Sequence, residues 1–149
     1  VERQAQVRHA CRLFVTAAHL QVPVFCVDIR KGYGLGAQAM AVGGFDAPVF
    51  TVSWPTGEFG GMGLEGAVKL GYRKELEAAA AGPEREALYQ KLVARQYENG
   101  SAIHMATTLE IDAVIDPADT RRWLVRGLDS AGTPRAGTAL APARFVDVW

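Results

Sequence analysis

The sequence predicts an α/β domain. Three observations carry that expectation. Short β-branched or aromatic runs alternate with segments of helical period, glycine clusters stand between them, and the composition is that of a folded globule. The chain has 149 residues, of which 49% are apolar and 21% charged, with 16 basic side chains against 16 acidic ones. A balanced charge argues against nucleic acid as a partner, because such binders carry a basic stripe. No apolar run approaches the roughly 20 residues of a membrane span, and no charged-then-apolar leader pattern is visible. A cytoplasmic protein without a membrane partner is therefore expected. Two cysteines, Cys11 and Cys26, are too few for a disulfide framework or a zinc site.

The elements follow in order. Residues 1–21 read as an amphipathic helix, with Val7, Cys11, Phe14 and Ala18, flanked by Ala10 and Ala17, on one face and Arg3, Arg8 and Arg12 between them. Pro23 ends it. Val24 to Ile29 reads as a buried strand, followed by a glycine-rich turn from Arg30 to Gly36 and a short helical stretch, Ala37–Ala41. Val49 to Trp54 reads as a second strand stopped by Pro55. Another glycine-rich turn follows, with Gly57, Gly60, Gly61 and Gly63. One helix is expected from Leu64 to about Ala81, broken by Gly82-Pro83, and another from Glu84 to about Tyr97, ended by Asn99-Gly100. Ala113-Val114-Ile115 is a short strand, and Asp116-Pro117 opens a final helix as N-cap and first-turn proline. Residues 129–144 read as an extended tail. The chain enters its first helical pattern at once from Val1, which suggests that it is part of a longer protein.

The unit strand, glycine turn, helix occurs twice. Such a turn leaves backbone N–H groups without partners at the positive end of a helix dipole, a setting for phosphate or a developing oxyanion. Two tight turns with no ligand explain the same glycines equally well. Gly32-x-Gly34-x-Gly36 fails as a dinucleotide fingerprint, because Ala39 stands where a third glycine belongs, and no Gly-Lys-Ser/Thr makes a Walker loop. Side chains offer less. His9 and His19 read as solvated or locally satisfied, and His104 as structural. Cys26 packs rather than reacts, and Ser53 lacks a nucleophile elbow. Glu58 is the tempting general base, Glu65 a helix-dipole partner, and Arg30-Lys31 could hold an anion or brace the turn.

Three segments carry a resemblance. Arg30-Lys31-Gly32-Tyr33-Gly34-Leu35-Gly36-Ala37 resembles the "RK-x-YGG-A" segment of the carboxyltransferase (β) component of biotin-dependent acyl-CoA carboxylases, the acetyl- and propionyl-CoA carboxylase family. Trp54-Pro55-Thr56-Gly57-Glu58, with Met62-Gly63-Leu64-Glu65-Gly66-Ala67-Val68, is similar to its "WP-x-A-E … MGPEGAV". Ile111 to Pro117, with Thr120-Arg121, is similar to its "VDDVIDPxxTR". The motifs fall in family order across residues 1–128.

The resemblance implies a crotonase-like spiral of ββα units: a partial C-terminal carboxyltransferase domain at 1–128, lacking its first strands, then a C-terminal extension at 129–149. It implies transfer of a carboxyl group from carboxybiotin to the α-carbon of an acyl-CoA. Biotin supplies the base, and backbone N–H groups of Leu35 and Gly36 form the oxyanion hole. Tyr33, Gly34, Ala37, Gln38, Met62 and Gly63 would surround biotin and substrate, with no metal. Leu35 and Gly36 depart from the family's usual Gly and Ala, and Leu64 from its Pro. Implied partners are the biotin carboxyl carrier and biotin carboxylase domains or subunits, an N-terminal carboxyltransferase domain, and further copies in a homo-oligomer, a dimer or a trimer of dimers. Alone, the chain is expected to be inactive. Two other expectations stand beside this one: a different crotonase-type enzyme acting on CoA thioesters through Glu58, and a non-catalytic assembly fragment anchored by Phe45, Phe59 and Trp149.

Overall fold

A computed structural model describes residues 5–20 and 22–132. The elements run α1 (Gln6–His19), β1 (Phe25–Asp28), β2 (Lys31–Tyr33), α2 (Gly34–Met40), β3 (Phe50–Ser53), β4 (Glu58–Gly60), α3 (Leu64–Gly71), α4 (Arg73–Ala78), α5 (Pro83–Asn99), α6 (Ala102–Thr107), β5 (Ala113–Val114), a 3-10 turn (Pro117–Asp119) and α7 (Thr120–Ala131). The strands form two sheets, β1-β3-β5 and β2-β4, and all pairings are parallel. The chain thus writes ββα twice, as β1-β2-α2 and β3-β4-α3, and each strand of the first unit lies beside its counterpart in the second.

The central strand β3 explains the layering. Phe50, Thr51, Val52 and Ser53 are all buried, as a parallel strand covered on both faces must be. Its two hydroxyls are satisfied locally. Thr51 Oγ1 donates to the Phe45 carbonyl, and Ser53 Oγ donates to the Trp54 carbonyl at 2.9 Å. Asp112 ties the other edge by accepting the Thr51 N–H at 2.7 Å. One core gathers Phe50, Val52 and Ile115 with Phe25, Val27, Trp54 and Trp123. A second gathers Phe59, Ala102 and Ile111 with Phe45 and Met105. Each fully buried side chain of this size contributes about 1.5–3 kcal/mol.

Several expectations are corrected. The first glycine-rich turn holds β2 and the first turn of α2, and the second holds β4. Glycine suppresses the strand signal; the three-residue strands are held by pairing with each other, and β4 also by an antiparallel bridge from Glu58 to Ser101. The helix expected from Leu64 to Ala81 is two helices that break at Tyr72, and α6 was not anticipated. Gly100 ends α5 and Ser101 at once caps α6, its Oγ accepting the His104 N–H at 3.3 Å. Asp116 caps the 3-10 turn, accepting the Ala118 N–H at 2.8 Å, and α7 then extends three residues into the stretch read as tail. The rest of that tail lies outside the described residues. On α1, Val7, Ala10 and Cys11 are exposed, so the N-terminal part of the expected apolar face covers nothing.

Candidate functional site

The two ββα units bring both glycine turns to one end of the sheets. In the β2-β4 ladder Lys31 lies opposite Glu58, Gly32 opposite Phe59 and Tyr33 opposite Gly60, so α2 and α3 start side by side. Gly32 is buried and closely surrounded: a Cβ there would meet Asp28 Oδ2 at 2.6 Å and the Phe59 ring at 3.1 Å. Tyr33 is the N-cap of α2, with φ −107° and ψ 132°, and no side chain caps this helix. Among the described residues, no acceptor meets the N–H groups of Leu35 and Gly36. The N-terminus of α3 is different. Glu65 stands in its first turn and takes its own N–H and the Tyr97 hydroxyl, the latter at 2.6 Å, which holds its carboxyl below the usual range. A carboxylate already occupies that end of the second turn, so the first turn is the better anion site.

Open space adjoins the first turn. A cleft of about 610 Å³ is lined by Asp28, Lys31, Tyr33, Gly36, Ala37 and Met40, among others. A Cβ on Gly36 would meet nothing within 4 Å. A second cleft of about 360 Å³ takes Gly34 and Gln38 with Phe59, Gly60 and Gln96. Phe45 lines both clefts. Of the eight residues read from the sequence, the structure brings Tyr33, Gly36 and Ala37 to one cleft and Gly34 and Gln38 to its neighbour. Leu35 is exposed, projecting its side chain to solvent, while Met62 and Gly63 line neither cleft.

The titratable groups divide clearly. Tyr33 donates its hydroxyl to Glu58 Oε2 at 2.7 Å. Burial pushes its phenol well above the ordinary value, and the Glu58 carboxylate adds to this. Asp28 was missed in the sequence as a site residue. Its Oδ1 is buried without a hydrogen-bond partner among the described residues. Burial raises its carboxyl, and the charge of Glu58 raises it further, against the pull of the Arg30 N–H. A lone acidic residue closing a β-branched strand was the only available signal. Cys26 is half-buried, and burial raises its thiol, which makes it a poor nucleophile. His9, His19 and His104 are exposed, and His19 Nδ1 lies 2.7 Å from the Val15 carbonyl. The structural role expected of the His104 ring has no support, since only its backbone takes part in the α6 cap. Phe59 is corrected too. It is 2% exposed and meets Phe45 edge-on, with centroids 5.4 Å apart, so it anchors the core and no interface. Trp149 lies outside the described residues. No helix among these residues is long and apolar enough to cross a membrane.

Comparison with known proteins adds the following. The sequence pattern of the carboxyl transferase domain matches residues 2–144. The chain is 33% identical over 131 residues to the methylmalonyl-CoA carboxyltransferase 12S subunit of Propionibacterium freudenreichii subsp. shermanii, a match covering 87% of this chain and 24% of the relative. Among solved structures, a single-chain, multi-domain long-chain acyl-CoA carboxylase is 54% identical with TM-score 0.72, covering 85% of this chain and 12% of the other. Transcarboxylase 12S, a hexamer solved with methylmalonyl-CoA bound, is 28% identical with TM-score 0.78, covering 93% of this chain and 27% of the other. The chain spans about a quarter of the length of the curated relatives it matches.

Proposed function

Because the chain belongs to the carboxyl transferase domain family and shares its crotonase-like fold, we propose that it forms the biotin-facing part of an acyl-CoA carboxyltransferase. The observation that carries this reading is the uncapped start of α2, where no acceptor among the described residues meets the N–H groups of Leu35 and Gly36 and Gly36 lines a cleft of about 610 Å³. Biotin, carried on a partner, would deliver the carboxyl group from its ureido nitrogen and supply the base once that group has left. The chain's own task is electrostatic. Fixed backbone donors hold the negative charge that develops on an oxygen, and removing one such donor typically costs about 2.7–4 kcal/mol of barrier. Tyr33, Gly34 and Ala37 shape the cleft around those donors. Gln38, Met62 and Gly63 face the acyl substrate from the second cleft and the second turn. In this reading no side-chain acid/base pair is needed.

The remaining finer expectations belong to the same proposal. Acyl-CoA is the acceptor. The biotin carboxyl carrier, biotin carboxylase and N-terminal carboxyltransferase regions are partners, whether subunits or domains of one chain, and copies assemble as dimers or trimers of dimers. These residues by themselves are inactive, because holding CoA falls to the N-terminal carboxyltransferase region. The other crotonase-type reading needs Glu58 as a free base, but its carboxylate is engaged by Tyr33. The test is carboxyl transfer between malonyl- or methylmalonyl-CoA and biotin, catalysed by the complete protein containing this domain. Transfer is expected. Failure with every short and long acyl-CoA would overturn the reading, and a strictly monomeric product that binds no biotin would favour the inert-fragment alternative.

A further inference from the structure

We infer that Glu58 is a positioning residue, holding the Tyr33 hydroxyl and thereby fixing the start of α2 from which Leu35 and Gly36 present their N–H groups. The inference rests on the proposed role of those donors and assigns them a support. Residues opposite one another in the β2-β4 ladder share a face, so Lys31, Tyr33, Glu58 and Gly60 lie together. Tyr33 and Glu58 are diagonal neighbours, the spacing that long side chains bridge. Gly60 stands opposite Tyr33, and even a Cβ there would lie at ordinary contact distance, 3.9 Å from Tyr33 Cδ1. The Tyr33 hydroxyl reaches across to Glu58 Oε2 at 2.7 Å.

Both ends of this contact are anchored where it matters. The Glu58 N–H donates to the Arg30 carbonyl, which ties β4 to the residue just before β2. Tyr33 is the last residue before α2, a seven-residue helix without a side-chain cap. A helix that short gains little from its own hydrogen bonds and takes its direction from what holds its ends. A hydrogen bond to an ionised acceptor is among the stronger side-chain contacts. Burial and the adjacent carboxylate both keep the proton on Tyr33, so the phenol stays a donor. A second pair, Tyr97 hydroxyl to Glu65 Oε1 at 2.6 Å, ties α5 to α3 in the neighbouring turn. Each glycine turn thus has its own tyrosine–glutamate brace.

The test is amide hydrogen exchange in the complete protein, read for the peptide over α2, together with steady-state transfer kinetics. The variants are Glu58→Ala, Glu58→Gln, Tyr33→Phe and the double variant Tyr33→Phe/Glu58→Ala, with Glu77→Ala, an exposed partner of Arg73, as control. Glu58→Ala and Tyr33→Phe should each speed exchange in α2 by about tenfold, the double variant no further, and Glu58→Gln, which keeps an acceptor oxygen, by less than about threefold. Turnover should fall in parallel while KM for the acyl-CoA stays within about twofold. Additive effects, acceleration spread equally into α5, unchanged exchange, or Glu58→Gln as damaging as Glu58→Ala would overturn the positioning role. Tyr33→Phe alone decides the matter if Glu58→Ala does not fold. The expected exchange pattern in a protein that transfers no carboxyl group would overturn the carboxyltransferase reading and leave the brace supported.

Discussion

The carbonyl oxygen of Gly61 lies 2.9 Å from the point where a Cβ on Gly34 would stand, and Gly34 holds φ +61°. The two glycine turns meet backbone to backbone, so the first position of α2 is fixed by the second turn as well as by its own strand. Gly34→Ala must accept a left-handed conformation, which costs about 1–2 kcal/mol, and must also push against a carbonyl. Chemical denaturation should show a loss of about 2 kcal/mol or more. An unchanged midpoint would mean that the turns are not in contact.

Asp28 gives a pH signature. Burial raises its carboxyl above the ordinary 3.8, and the Glu58 charge adds to that. The folded state therefore binds this proton more tightly than the unfolded chain. Stability falls as pH rises from 3.8 through the higher folded value, and the whole penalty is present above it. Asp28→Asn keeps an acceptor for the Arg30 N–H and removes the charge. Thermal unfolding should show the Asp28→Asn variant more stable than the parent at about pH 7, with the gain shrinking as the pH is lowered toward about 4. A gain independent of pH, or a loss at neutral pH, would refute the assignment.

Gly127 is where α7 reaches the sheet. A Cβ there would stand 2.6 Å from both Phe25 Cε1 and Phe50 Cε1, and those two rings already lie 4.9 Å apart. Gly127→Ala gains helix propensity but overpacks the first core, a net loss of about 1–3 kcal/mol. Equal or greater stability in urea would show that α7 can shift outward freely.

What was legible in the sequence follows from physical scale. Val24–Ile29 and Val49–Trp54 announce β1 and β3 because buried parallel strands are continuous apolar runs. Asn99-Gly100 and Asp116-Pro117 announce helix boundaries because caps are local chemistry. The strands β2 and β4 were hidden because glycine at 32 and 60 reads as turn, whereas here Gly32 admits Asp28 and the Phe59 ring at close range and Gly60 admits Leu64. The Tyr33–Glu58 and Tyr97–Glu65 pairs join residues 25 and 32 positions apart, which no local pattern encodes. The glycine turns could be named as anion sites from sequence, and Glu65 could be read as a dipole partner at the second; the structure adds the Tyr97 hydroxyl that holds Glu65 there.

Gly36 offers the most direct measurement. Nothing stands within 4 Å of a Cβ at this position, so Gly36→Ala should fold at least as well as the parent, by about 0.5–1 kcal/mol of helix propensity. The larger branched side chain of Gly36→Val would project into the cleft beside the Gly36 donor and leave the core untouched. The decisive experiment measures kcat for carboxyl transfer and the unfolding free energy of Gly36→Val together, in the complete protein. Stability within about 1 kcal/mol of the parent with turnover reduced at least about a hundredfold is the predicted result. Normal kcat in a normally folded variant would contradict the placement of the oxyanion donors at this turn.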